Sequence, residues 1–546
     1  MKRGYKGSIT IYLAMIFSVM ISLIFTLVQD IRSQAARLSL ECAVDLSLYS
    51  VFAEYHKELL EQYDLFFIDS GYESVSNIDN VGQHLKGYMD DNFTFGMQQK
   101  GNLLCDFLQM ETEQVKICGY TRATDEEGEV FKRQAIAYMK DATGLSYLEN
   151  WQEKMNVVED NQLLTRDITA ERNAIQQEID SIEIPLKKIS EDEYEEVPLD
   201  NPADRVNASR NAGILHLVVK DVSSLSQEGV NLPNCASHRD LNKGYGLLDR
   251  EKTSAVEDLL YHEYILSKCG NYTNQMEKSK LKYQVEYILA GKDNDVENLK
   301  WVVNRLLLLR EVANVTYIYT DSVKVMEAKA LALSLAAATL NPMLIEPVKH
   351  SILFAWAYAE SVYDVKQLLA GKRVPLLKTK QSWHYSLTGM LNYEGGLDDS
   401  TNDMSGKNGL DDLSGDMFSK DGLDDLSGDM FSKDGLDDLS KDMFSKDGLN
   451  DLPDDMFSKE GLEDIKEKNG IGLELGYKDY LRILLMTVSE KDSVFRMMDV
   501  VEMDIRKTTE NNSFVMDGCV DYIDVKVYGS SGFGTTMEIR RSYFYF

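Results

Sequence analysis

Carboxylates, histidines, cysteines and serines are the side chains from which hydrolytic, redox or metal chemistry is built, and this chain of 546 residues holds all four without a recognisable arrangement. The seven histidines, His56, His84, His216, His238, His262, His350 and His384, include no HExxH pair and no other metal-ligand spacing, so each reads as structural or exposed. "YGSSGFG" sets two serines among glycines, but neither has glycine both two residues before and two after. With alternating apolar residues on both sides it reads as a turn between strands, not a nucleophile elbow. The carboxylates of "DNDVE" at 293–297 suit a helix start, where acids meet the positive end of the dipole. No GxGxxG follows a strand, and no GxxxxGK[ST] is present to cradle phosphate. Catalytic carboxylates converge in space and not along a chain. The motif-level expectation is therefore a protein that is not an enzyme and carries no cofactor or metal.

Six cysteines, Cys42, Cys105, Cys118, Cys235, Cys269 and Cys519, are scattered, with no CxxC pair and no Cys/His run at zinc spacing. In an oxidising compartment the sequence-near pairings are Cys105 with Cys118 and Cys235 with Cys269; buried free thiols are the alternative.

The formal net charge of -32 argues against nucleic acid and against docking on anionic lipid headgroups, leaving cations or basic partners. Much of it is concentrated in one stretch. Gly396, Gly409, Gly422, Gly435, Gly448 and Gly461 recur at a constant spacing, with the unit "DGLDDLSGDMFSK". Aligning Asp421-Gly422 to positions 5 and 6 of an EF-hand loop puts Met417, Ser419 and Gly428 where carboxylates are needed, so that register fails. Weak, many-site calcium condensation is all the unit permits. Its glycines interrupt any long apolar stripe, and residues 395–468 are expected to be a solvated low-complexity insertion.

The elements that position everything else begin at the N-terminus, where MKRGYKG leads into "SITIYLAMIFSVMISLIFTLVQD". Residues 8–28 are apolar or small, and at ~1.5 Å per residue such a helix matches the ~30 Å hydrocarbon of a bilayer. Lys2, Arg3 and Lys6 precede it, so the positive-inside rule keeps residues 1–7 in the cytoplasm and places the body outside. A cleaved secretory signal is the rival reading, with small residues at Ser33-Gln34-Ala35, although Asp30 and Arg32 stand between the apolar core and that site. Beyond the membrane, Ile31, Ala35, Leu38, Cys42, Tyr49, Phe52, His56 and Tyr63 fall at helical spacing, with Asp45 the polar interruption. This predicts an amphipathic continuation over 29–65 that lies along the body on that stripe, and neither Gly nor Pro occurs between Ser8 and Ser70 to break it.

The segment KGSITIYLA, the apolar helix and "QAARLSLECAVDLSLYSVFAEY" together resemble the N-terminal region of TadE/TadG-like pseudopilins of tight-adherence (Tad) pilus systems. The wider chain, through "LFFID", "AWAYAESVYDV" and "VPLLK", resembles an uncharacterised family of Gram-positive membrane-anchored proteins associated with such systems. The resemblance implies leader cleavage between Gly7 and Ser8, and pilin-like or other membrane proteins as partners through the N-terminal helix. One feature departs from the pattern. Pilins cut by a prepilin peptidase usually carry Glu at the fifth mature residue, here Tyr12. Without that carboxylate the pairing with a neighbour's terminal amine is absent, which favours an accessory or membrane-retained component over a main fibre subunit.

The body reads as α+β. In 66–190, "EQVKICGY" alternates as a strand, and Trp151, Met155, Val158, Ile168, Ile175, Ile179 and Ile182 mark a helical hairpin or coiled stalk. Residues 191–205 form an acidic loop containing Pro198 and Pro202, and 206–394 a helix-rich region. There "LKYQVEYIL" at 281–289 alternates as a half-buried strand, Asn294 or Asp295 caps the next helix, and "ALALSLAAATL" and "SILFAWAYAESV" are buried helices too short to span a bilayer. Residues 469–546 supply helices and a C-terminal β-hairpin, "CVDYIDVKVY" with "TTMEIRRSYFYF". The expected architecture is a long N-terminal membrane helix and a mostly helical extracytoplasmic body with a small antiparallel sheet. The expected function is that of a single-pass structural or accessory component of a pilus or surface assembly. A tethered adhesin or wall-interacting protein is the alternative, and a membrane-anchored hydrolase a third.

Overall fold

The computed structural model describes residues 6–546 apart from 73, 95–107, 143–144, 184–186, 189–193, 196–198, 200, 211–212, 247–252, 340, 393–472 and 546. Helix α1 (Lys6–Phe52) is a single run of 47 residues, about 70 Å long at the rise of an α-helix. It stops short of the expected residue 65 although neither Gly nor Pro intervenes. Tyr55 forms a bridge with Ile68, and the His56 N–H donates to the Phe67 carbonyl at 2.9 Å, which draws the chain out of the helix. The His56 ring then accepts from the Leu59 N–H at 3.3 Å and starts α2 (Lys57–Tyr63).

The sheet is antiparallel and centred on β7 (Cys519–Ser531). Along one edge β7 pairs with β2 (Met110–Arg122). Along the other it pairs first with the short β1 (Ile68–Asp69) and then with β8 (Thr536–Phe544). Val527 lies opposite Val115 on one side and Ile539 on the other. The β7–β8 turn is closed by Gly534 at φ 77°, a conformation that favours glycine. Strands at 113–120 and at the C-terminus thus belong to one sheet. Helix α3 (Ile78–Thr94) and the second half of α1 pack on it, enclosing a small core that includes Leu40, Val44, Leu48, Val81, Leu85, Val525 and Val527.

The larger core is helical. It joins α4 (Glu129–Ala142), α5 (Leu145–Asp160) and α6 (Ile168–Ser181), of which α5 packs on α9 and α6 on α13, the short α7 (Ala203–Ser209) and α8 (Ile214–Val218), and α9 (Ala255–Lys268). Two-residue strands β3 (Lys187–Lys188) and β4 (Tyr194–Glu195) pair beside it. Next come α10 (Gln284–Ala290), α11 (Asp295–Thr320), α12 (Ser322–Thr339), α13 (Ile345–Leu369) and α14 (Leu387–Leu391). The chain closes through α15 (Tyr477–Leu485) and α16 (Glu490–Ile505). Helix α13 is buried along most of its length, so "SILFAWAYAESV" is indeed core.

Two expectations need correction. Residues 284–290 are helix, not strand. The polar residues that made the alternation look half-exposed are buried and bonded: Gln284 accepts from the Gly270 N–H at 2.8 Å, and Glu286 from the Tyr272 N–H at 2.8 Å. Helix α12 is not buried all round either. Only Ala328, Ala332, Ala336 and Thr339 turn inward, where the small side chains let α12 lie close along α13, while Met326 and Leu333 are exposed. Asn294 caps α11 as expected, accepting from the Glu297 N–H at 2.9 Å.

The acidic insertion 395–468 lies outside the described residues, but its flanks do not. Strand β5 (Val374–Pro375) before it pairs with β6 (Glu474–Leu475) after it, and the Leu376 N–H donates to the Leu473 carbonyl at 2.8 Å.

Candidate functional site

The apolar part of α1 is the first unusual feature. From Ile9 to Ile31 its large side chains are exposed, and no described residue covers them; it is one helix long and apolar enough to cross a membrane. Its continuation is held by the sheet through Ala36, Leu40, Ala43, Val44, Leu48, Val51 and Phe52. Leu40 fills a hollow that only glycine leaves open: a Cβ on Gly529 would lie 2.9 Å from a Leu40 methyl carbon. The predicted contact stripe is therefore corrected. Ile31, Ala35, Leu38 and Cys42 face away from the sheet, Tyr49 is exposed at its margin with its ring edge-on to Tyr543 of β8 at 5.1 Å, and only Phe52 and Tyr63 of that series are buried. The helix is apolar on two opposite faces, so spacing alone could not say which one meets the body.

Polar and aromatic clamps fix the junction. The Arg541 guanidinium on β8 lies 3.2 Å from Asp45 and 3.7 Å from Glu41. Tyr545 donates to the Phe52 carbonyl at 2.5 Å, and the Phe52 ring meets Tyr543 edge-on with centroids 4.6 Å apart. Arg32 stacks over Phe533 at the hairpin tip, 4.5 Å from the ring centre. Just past the helix, Glu54 accepts from Tyr72 at 2.8 Å and Tyr88 at 2.7 Å, which ties the end of α1 to α3. The ion pairs are partly solvated and contribute little each; burial of the apolar face supplies most of the attachment.

The second feature is a set of ion pairs sealed in the helical core. Arg310 on α11 is fully buried and donates to Asp364 at 2.9 and 3.1 Å, to the Pro375 and Leu376 carbonyls at 3.0 and 2.7 Å, and to Tyr480 at 2.9 Å. Lys378 reaches Glu360 at 2.5 Å and Asp364 at 2.6 Å, while Glu360 also accepts from the His384 and Tyr385 N–H groups. Two cations face two carboxylates, and the network straps residues 374–385 onto α11, α13 and α15. Arg239 makes a similar clasp with Glu502 and Asp517, both at 2.6 Å. Because every member is paired, these groups hold the fold in register and are not poised for proton transfer. Glu286 differs. Its second carboxylate oxygen is buried without a partner, and burial pushes the carboxyl up to about 7. Burial likewise depresses His262 and His350 to about 4, which keeps both neutral.

A cavity of about 670 Å³ lies between α6, α11, α15 and α16. Much of its polar lining is already engaged: Arg166 grips Glu171 at 2.7 and 2.8 Å, Asp167 caps α6, Ser489 caps α16, and Arg496 donates to the Ile288 and Leu289 carbonyls. Among the described residues no group of His, Cys, Asp and Glu is placed to hold a metal ion.

Of the cysteines named from sequence, Cys235 and Cys269 are free thiols with separate partners. Cys269 Sγ lies 3.3 Å from Met497 Sδ, and Cys235 donates to the Asn231 carbonyl at 3.4 Å. Cys118 sits half-buried on β2, and Cys105 lies outside the described residues. Gly7 and Ser8 lie in the first turns of α1.

No curated protein and no solved structure matches the chain. One family sequence model does, over residues 192–411 and 448–531, which is the helical body and the start of the hairpin; the break between the two stretches falls inside the acidic repeat. That match extends over more than half of the sequence, and the chain accordingly belongs to DUF5702, a family of unknown function.

Proposed function

We propose that this chain is a single-pass, membrane-anchored structural or accessory component of an extracytoplasmic surface assembly, pseudopilin-like in arrangement and associated with a Tad-type pilus. Its work is positioning, not catalysis. The observation that carries this reading is the division of α1: an apolar half that no described residue covers runs without a break into a half seated on the sheet. A soluble protein would expose that apolar surface to water at a cost of ~25 cal/mol per Å². The basic residues Lys2, Arg3 and Lys6 place the N-terminus in the cytoplasm and the body outside. A helix clamped to the sheet from Arg32 to Phe52 transmits the orientation of the anchor to the whole sheet.

The test is alkaline carbonate extraction of membranes containing the full chain, with a C-terminal reporter for topology. Retention in the pellet with an external reporter is expected, together with copurification of pilus subunits from mild detergent. Release of full-length protein by carbonate, or a reporter active only in the cytosol, overturns the proposal.

A further inference from the structure

We infer that the tip of the β7–β8 hairpin is a second membrane contact, seated beside α1 in the headgroup layer of the bilayer surface from which α1 emerges. The inference rests on the anchored reading above and names the partner of one surface of the body, the lipid interface itself.

The height of the tip follows from its contacts with α1. Phe533 lies against Arg32, Gly529 against Leu40, Arg541 against Asp45 and Tyr545 against Phe52, so the hairpin runs alongside the helix with its turn towards the apolar span. Arg32 lies one helical turn beyond Val28, where the uncharged apolar run ends. At the rise of an α-helix that separation is about 6 Å, and the headgroup layer is about 5–7 Å deep on each side of the hydrocarbon. The turn therefore stands at headgroup depth. Among the described residues none covers the large side chains of α1 nearer the membrane.

The chemistry of the tip suits that depth. Residues 527–537 carry no charge in a chain whose net charge is -32, and the first charges on either side, Lys526 and Glu538, neutralise one another at 2.6 Å. Phe533 is 39% exposed between two exposed glycines, Gly532 and Gly534, and an open aromatic ring is favoured where water gives way to acyl chains. Arg32 covers one side of that ring and holds its guanidinium at the level of the lipid phosphates. Backbone donors at the turn are met within the protein. The Ser531 N–H donates to the Thr535 carbonyl at 3.0 Å, Gly532 to Gln109 at 2.9 Å and Gly534 to Ser531 at 2.9 Å, so these amides enter a layer poor in water already bonded. None of this reads an anionic headgroup, and the acidity of the body does not oppose contact with a zwitterionic bilayer. Continuity with the spanning part of α1 selects the occupant, because a turn held at this height meets lipid on the sides that α1 and the sheet leave open.

The test places a tryptophan at the tip. Full-length Phe533→Trp and Ser542→Trp variants are reconstituted in phosphatidylcholine vesicles, with and without bromine on the upper acyl chain. The native Trp151, Trp301, Trp356 and Trp383 belong to or pack on the helical core, and their emission is subtracted with the unsubstituted chain. Ser542 is exposed on β8, about 30 Å along the strand from Phe533. Brominated lipid is expected to quench the added emission at 533, which is also shifted to shorter wavelength, whereas aqueous acrylamide quenches the emission at 542. Equal quenching by brominated lipid at the two positions, none at 533, or acrylamide reaching 533 as freely as 542 overturns the contact. Carbonate extraction of the same vesicles separates the two readings. Release of the chain counts against the anchor itself, whereas retention with an unquenched tryptophan at 533 counts against the tip contact alone.

Discussion

The seat of α1 on the sheet can be tested by changing both halves of one contact. Leu40 is fully buried, and its two terminal methyls lie 2.9 and 3.0 Å from where a Cβ on Gly529 would stand. Carbon atoms pack at about 3.5–4.0 Å, so Gly529→Ala forces an overlap of roughly half an ångström or more and is expected to cost about 1–3 kcal/mol. Leu40→Ala removes the knob and leaves a cavity, at about 2–5 kcal/mol. In the double variant the new methyl enters the space that Leu40 vacated. The two costs should therefore not add, and the coupling should be favourable by about 1–2 kcal/mol. Hydrogen exchange of the β7 amides in detergent-solubilised protein reads this local stability, with α11 amides as an internal reference. A double variant at least as unstable as the sum of the two singles would refute the knob-in-hollow account of the junction.

Glu286 should make stability depend on pH. The folded protein holds its proton up to about 7, whereas an ordinary glutamate releases it near 4.5. Stability contributed by the protonated carboxyl is then present below about pH 4.5 and lost as pH rises towards 7, at up to about 1.4 kcal/mol per unit. Glu286→Gln should flatten that slope in denaturant titrations, and an unchanged slope counts against it. Asp364→Asn leaves buried Arg310 without an acidic partner, since the remaining carboxylate, Glu360, reaches only Lys378, and is expected to lower stability by about 3–5 kcal/mol, read as a lowered midpoint of thermal unfolding. Alkylation of the unfolded, unreduced chain followed by peptide mass analysis should find Cys235 and Cys269 as free thiols, and a peptide joining them would contradict the structure.

Much of the architecture is legible in the residues because it depends on local pattern. The apolar run of α1, the alternation in 113–120, the hairpin around "GSSGFG" and the Asn294 cap are written over a few neighbouring positions. What could not be read depends on contacts distant in sequence. The alternation of "LKYQVEYIL" implies a wet face, but the partners that satisfy Gln284 and Glu286 come from Gly270, Tyr272 and Tyr477. The end of α1 is set by pairing with Phe67 and Ile68, not by a helix breaker. Which apolar face of α1 meets the sheet is decided by Gly529, nearly five hundred residues away. The core network is equally hidden, since Arg310, Glu360, Asp364 and Lys378 look like ordinary surface charges until α11, α13 and the following strap are brought together.

The ladder between β5 and β6 brings Val374 opposite Leu475, so the longer span that holds the strap, α14 and then the acidic stretch begins and ends at immediate neighbours. With the flanks of that span tied to each other, the number of 13-residue units in the acidic stretch is expected to be a dimension along which the chain can be lengthened or trimmed while the β5–β6 ladder keeps its register.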